Sequence, residues 1–188
     1  KKKKEILNCR KCNLFRERKN PVPGEGSLEA KIFFVGEAPG KNEDEKGKPF
    51  CGMAGKVLDR LLSSISLKRE EVFIGNLIKC RPPKNRDPKK EEILACSPYL
   101  EKQLEIIKPK IICPLGRHSM KFIMEKFNLK NEIKPISEIH GKIFKGRSLF
   151  LSPFIVPLYH PAFCLYNPQM EKILEEDFKK LSFLLKKI

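Results

Sequence analysis

Four cysteines stand where thiol chemistry is possible: Cys9 and Cys12 in a C-x2-C pair, and Cys80 and Cys96 separated by 16 positions. Two thiolates two residues apart reach one metal centre, and four can complete a tetrahedral zinc site or an iron–sulfur cluster. Zinc ribbons usually offer two close pairs, so the split second pair leans toward a cluster. Cys96 also reads as a core residue on its helix, because buried free cysteines are common. Cys51, Cys113 and Cys164 lack partners at ligand spacing.

A second constellation combines acid, aromatic, amide and imidazole. Gly36-Glu37-Ala38-Pro39-Gly40 is followed by Glu43, Asp44 and Gly47-Lys48-Pro49-Phe50-Cys51-Gly52, then by Gly75-Asn76, and much later by Tyr159-His160-Pro161-Ala162-Phe163. None of these is a nucleotide loop. G-x-G-x-x-G is absent, and Gly52 to Val57 lacks the spacing and hydroxyl of a P-loop. Asp44 reads as an ordinary exposed carboxylate, and His118 and His140 have no such context.

Positioning these groups requires strands whose carboxyl ends lie on one edge, where open α/β sheets bind ligands. Apolar runs at Lys31–Gly36, Val72–Ile78, Lys110–Leu115 and Phe154–Leu158 read as buried strands. Helical spacing marks 53–65 (Met53, Val57, Leu58, Leu61, Leu62, Ile65), 117–127, and a closing helix on Met170, Ile173, Leu174, Phe178, Leu181, Leu185 and Ile188. Asp87-Pro88 is expected to open a further helix as N-cap and first turn, with Ile93, Cys96, Leu100, Leu104 and Ile107 on its apolar face. Residues 131–150 are irregular. Alternating strands and helices predict an α/β protein, a three-layer α/β/α sandwich around a mainly parallel four-stranded sheet. Residues 1–188 form a single domain on this reading.

Charge narrows the partner. The chain carries a formal +16, and two short segments supply most of it. Residues 1–20 hold nine Lys and Arg against Glu5 and Glu17; residues 79–90 hold Lys79, Arg81, Lys84, Arg86, Lys89 and Lys90 against Asp87. Concentrated cations favour a polyanion through counterion release, although a Lys-rich thermophile surface has the same composition. No run approaches the ~18 apolar residues of a membrane span, and Lys1 to Asn8 lacks the apolar core of a signal peptide. Seven cysteines in a reducing compartment read as ligands or core fillers rather than disulfides. A cytoplasmic, nucleoid-associated monomer is expected, with no membrane contact.

Gly36–Gly40, Gly47–Gly55, Gly75–Pro83 and His160–Ala162, in that order, resemble the motifs of family 4 uracil-DNA glycosylases across roughly residues 9 to 168. The resemblance implies base-excision DNA repair: a base-flipping hydrolase acting on the N-glycosyl bond of deoxyuridine by a dissociative mechanism. It implies a [4Fe–4S] cluster as cofactor, with Cys9, Cys12, Cys80 and Cys96 as ligands. It implies that Phe50 stacks on uracil, that Asn76 reads N3–H and O4, and that His160 donates to O2. Glu37 would position water or balance charge on the sugar, and Glu43 would crowd thymine's methyl beside C5. Ala38, at the substrate pocket, stands where family 1 enzymes carry a water-activating Asp, so the general base is left open. Homologues that stay covalently attached to DNA carry Gln there and an inserted basic loop with a His; neither is visible between Cys80 and Asp87.

The loop Phe163-Cys164-Leu165 is a candidate wedge into the base stack. The partner is uracil-containing DNA, and a sliding clamp or other repair protein is compatible with the sequence. The rival reading is an iron–sulfur or zinc module that grips nucleic acid without catalysis; it leaves Glu37, Phe50, Asn76 and His160 without a task.

Overall fold

A computed structural model describes residues 2–188, with side chains from Lys3 onward. Lys1 and the side chain of Lys2, part of the first basic segment, lie outside the described residues. Among the described residues six strands form one sheet: β1 (Glu25–Gly26), β2 (Ile32–Gly36), β3 (Phe73–Asn76), β4 (Ile111–Pro114), β5 (Phe144–Lys145) and β6 (Phe154–Ile155). Their order is β1-β3-β2-β4-β6-β5. The four inner strands pair in parallel, and β1 and β5 close the two edges in antiparallel register. The expected four-stranded sheet is therefore its parallel centre, and the full sheet has six strands. The extra two are two residues each, too short to carry an alternating pattern.

The helices are α1 (Lys2–Leu7), α2 (Lys41–Lys46), α3 (Met53–Ser64), α4 (Lys90–Ile107), α5 (Arg117–Lys126), α6 (Ile136–Ile139), α7 (Phe163–Tyr166) and α8 (Gln169–Leu185). Side-chain alternation along β2 builds two cores. Phe33 and Val35 meet Leu100 and Leu104 of α4 and Met120 and Ile123 of α5 on one face. Ile32 and Phe34 meet Leu58 and Leu61 of α3 and Leu174 and Phe178 of α8 on the other. Both phenylalanines of β2 are fully buried, each worth about 1.5–3 kcal/mol relative to exposure. Helices thus cover both faces of the sheet, as expected of three layers. No helix among the described residues is long and apolar enough to cross a membrane.

One boundary differs from expectation in a way that matters for the site. Asp87 does not cap α4. Lys89 is the N-cap, and Glu92 accepts its N–H at 2.8 Å while pairing with Arg86 at 2.6 Å. Arg86 holds the Glu92 carboxyl below its usual range. Asp87 is left exposed on the connecting loop, free to face elsewhere.

Candidate active site

The carboxyl ends of the parallel strands surround a cavity of about 380 Å³ lined by Glu37, Ala38, Glu43, Phe50, Asn76 and His160, every pocket residue selected from the sequence. That volume suits a small flat ligand. Asn76 ends β3 and is 2% exposed. Phe50 lies between α2 and α3 with φ +46°, a conformation a non-glycine residue rarely takes. Its main chain is pressed against α3 at Gly55, where any side chain would overlap the Phe50 carbonyl. Glycine is needed again at 36. A Cβ there would overlap Asn76 Oδ1 and stand 2.8 Å from the Phe50 ring, closing the cavity from its floor.

Glu37 and Glu43 are both tethered, by different means. Glu37 Oε1 accepts the His118 backbone N–H at 3.0 Å, and Gly116, at φ +92°, leaves room for that carboxylate. Glu43 Oε2 accepts the Gly40 N–H at 3.0 Å and so caps α2. Asp44, expected to be exposed, is 4% exposed and accepts the Lys19 and Asn20 N–H groups at 3.0 and 3.3 Å. It pins the N-terminal basic segment to α2.

His160 lines the cavity beside Phe50, the two rings stacked with centroids 5.4 Å apart. Its Nδ1 accepts the Ala162 N–H at 3.1 Å. An accepting Nδ1 carries no proton, so the neutral ring bears its hydrogen on Nε2. Burial pulls the His160 pKa down from 6.5 to about 4. The ring is therefore a neutral donor at physiological pH.

Lys79 was counted among the phosphate-binding cations. It is instead 1% exposed, and its Nζ donates to the Asn76 carbonyl and to Gln103 Oε1, both at 2.8 Å. Gln103 Nε2 in turn donates to the Pro23 carbonyl at 2.7 Å. Burial lowers the Lys79 pKa to about 8. Its partner is on α4, and nothing near it in sequence signals that burial. Lys84, Lys89 and Lys90 do stay exposed on the second basic segment.

Two pocket elements escaped sequence reasoning. Asp87 lines the cavity together with Asn85, Arg86 and Pro88. His118 stands behind it, its Nε2 at 3.3 Å from Asp87 Oδ2. Position after a parallel strand was a usable signal for His118, which follows β4 as Glu37 follows β2.

The four cysteines converge on a small cavity shared with Ile6, Leu14, Ile78 and Tyr99. Cys9 follows α1, and Cys12 precedes the short helical turn Asn13–Arg16. Cys80 lies four residues past β3, and Cys96 is two turns inside α4. Arg18 Nη1 donates to Cys80 Sγ at 3.0 Å and the Lys79 N–H to Cys96 Sγ at 3.2 Å. Among the described residues no three of these sulfurs lie mutually within 4.8 Å. One tetrahedral zinc would hold them about 3.8 Å apart, given Zn–S bonds of ~2.3 Å. Four thiols with the Arg18 guanidinium beside them offer the ligand set of a metal centre. Cys113 is core, and Cys164 is buried, which removes it from the wedge. Phe163, Leu165 and Tyr166 of α7 remain exposed, Tyr166 by 90%.

An α/β/α sandwich with a small polar pocket at its strand ends and four cysteines gathered at a second cavity defines an α/β protein with a ligand-sized site at the sheet edge. The profile of the Uracil DNA glycosylase superfamily matches residues 23–183. A type-4 uracil-DNA glycosylase of Saccharolobus solfataricus is 54% identical over 94% of this chain and 82% of its own length. One of Archaeoglobus fulgidus is 48% identical over 96% and 90%, and one of Thermotoga maritima 38% over 97% and 92%. The chain belongs to the uracil DNA glycosylase superfamily and, within it, to the type-4 group.

Proposed function

We propose that this protein is a uracil-DNA glycosylase that hydrolyses the N-glycosidic bond of deoxyuridine in DNA, releasing uracil and leaving an abasic site. The observation that carries the reading is the convergence of Phe50, Asn76 and His160 on one cavity. A flipped uracil stacks on Phe50, an interaction worth ~1–3 kcal/mol. Asn76 accepts from N3–H and donates to O4; cytosine offers the opposite pattern and leaves both groups unpaired, at about 1–3 kcal/mol each. The Lys79 bond to the main-chain carbonyl of Asn76 anchors the end of β3 from which that side chain projects.

His160 Nε2–H donates to O2, where negative charge gathers as the glycosidic bond breaks. A neutral imidazole suits this task because it need not lose a proton to stabilise the anion. Glu37 faces the sugar and balances its developing positive charge. Glu43, held rigid by its cap on Gly40, crowds the C5 position and excludes a methyl group. Ala38 leaves the pocket floor low enough for the ring. Exposed Phe163, Leu165 and Tyr166 form the surface that enters the base stack, and the exposed cations of residues 3–19 and 84–90 track phosphate.

A [4Fe–4S] cluster on Cys9, Cys12, Cys80 and Cys96 completes the proposal; when bound it clips three distant chain segments together and takes no part in bond cleavage. The convergence of the four thiols on one cavity and the Arg18 donor support that assignment. The protein acts as one domain, as a monomer, on intracellular nucleoid DNA. Incubation with a uracil-containing oligonucleotide should yield free uracil and alkali-labile strands. DNA bound without either product would instead support a non-catalytic binding module.

A further inference from the structure

Besides Glu37 and Glu43, the cavity has a third acid at its rim, Asp87. Glu37, Asp87 and His118 place one ligand atom each mutually within 4.8 Å, and both carboxylates line the cavity. Two carboxylate oxygens at that separation can each accept a hydrogen from the same water at ordinary O–H···O distances of ~2.7–2.8 Å. A water donating both hydrogens to acids turns its lone pairs outward, toward whatever electrophile the cavity holds. The Ala38 side chain carries no acceptor for that water, and Asp87 supplies a second carboxylate beside Glu37.

A cation is the competing occupant, and the surroundings disfavour it. Arg117 Nη2 donates to Asp87 Oδ2 at 2.7 Å and lies 3.3 Å from His118 Nε2. A guanidinium against two of three ligands repels a metal ion, whereas it orients a carboxylate. The His118 N–H meanwhile fixes Glu37 at 3.0 Å. The N-terminal turn of α5 therefore holds both acids, one by its main chain and one by side chains.

We propose that Asp87, paired with Glu37, holds the hydrolytic water and accepts its proton. This rests on the glycosylase reading. The C1′–N1 bond breaks with its electron pair leaving on uracil, whose O2 is held by His160. The water oxygen then bonds to C1′, its proton passes to the Asp87 carboxylate, and Asp87 returns that proton to the uracil anion or to solvent. Arg117 and His118 are positioning residues for Asp87.

Asp87→Asn keeps the shape and one acceptor but cannot take the proton. Single-turnover excision should fall on the order of 10²-fold, the usual scale for a lost general base. DNA affinity should hold or rise, because a negative charge beside phosphate is gone, and the melting temperature and visible absorbance should stay put. Asp87→Glu should recover part of the rate. In mixed water–methanol, the variant should trap a larger fraction of the sugar as methyl glycoside, since held water no longer outcompetes bulk nucleophile. An unchanged rate, a rate that falls in step with DNA binding, or an unchanged methanol fraction overturns the proposal. If the wild-type protein makes no abasic site, the glycosylase reading itself fails; if wild type and Asp87→Asn excise equally, only the role of Asp87 does.

Discussion

Protonation of His160 offers the sharpest link between burial and chemistry. Burial lowers its pKa from 6.5 to about 4, which corresponds to about 3 kcal/mol at 1.36 kcal/mol per unit. At pH 5.5 an unperturbed imidazole would be roughly 90% cationic, whereas this one stays roughly 97% neutral. The folded state refuses the proton that the unfolded chain accepts. Stability from this group is thus complete above pH 6.5 and drains away as pH falls toward 4. A cationic ring would still donate from Nε2, but its Nδ1–H would oppose the Ala162 N–H now bonded there at 3.1 Å, displacing the ring from O2. Single-turnover excision on single-stranded substrate should therefore show no loss from His160 between pH 7 and about 5. A decline should follow around pH 4, in step with the His160 imidazole resonance in NMR. Tracking that resonance reports on His160 alone among the groups that line the cavity. An acid limb centred near pH 6.5, with the His160 resonance moving alongside it, would refute the desolvated neutral donor.

Three further perturbations test the frame around that ring. Gly36→Ala places a methyl against Asn76 Oδ1 and the Phe50 ring, so uracil binding, read by inhibition with free uracil, should weaken at least tenfold while circular dichroism is retained. Lys79→Met removes a buried ammonium along with donors to Asn76 and Gln103. Two lost partners at about 1–3 kcal/mol each oppose relief of a desolvated charge, so melting should shift by only a few degrees while excision slows and cytosine discrimination narrows in competition assays. Cys9→Ala should abolish visible absorbance and lower the melting temperature; a colourless wild-type protein with stoichiometric zinc would contradict the cluster.

Three of the pocket residues were legible in the sequence because each sits next to a readable strand. Glu37 follows β2, Asn76 closes β3 and His160 trails β6, so finding the apolar runs was enough to bring the three to one edge. The four cysteines were picked out as one set by the close pair and the split pair, and the fold brings them to one cavity. Edge strands β1 and β5 were not, because two-residue pairings depend on a neighbour rather than on their own pattern. Lys79 looks like one more cation in a basic run until Gln103, 24 positions away, comes to meet it. Asp44 looks solvent-facing until the backbone at Lys19 and Asn20 folds against it.

Asp87 reads as a helix cap until Glu92 takes that role and Arg117, 30 positions on, draws the carboxylate to the pocket rim. Sequence alone determined the four inner strands, the long helices and the chemical character of the groups at their ends, since those follow from local periodicity and side-chain type. Tertiary structure decided which charges are buried, which acids share a water-sized gap and which tautomer His160 holds. Those outcomes turn on partners that only long-range packing brings within hydrogen-bond reach.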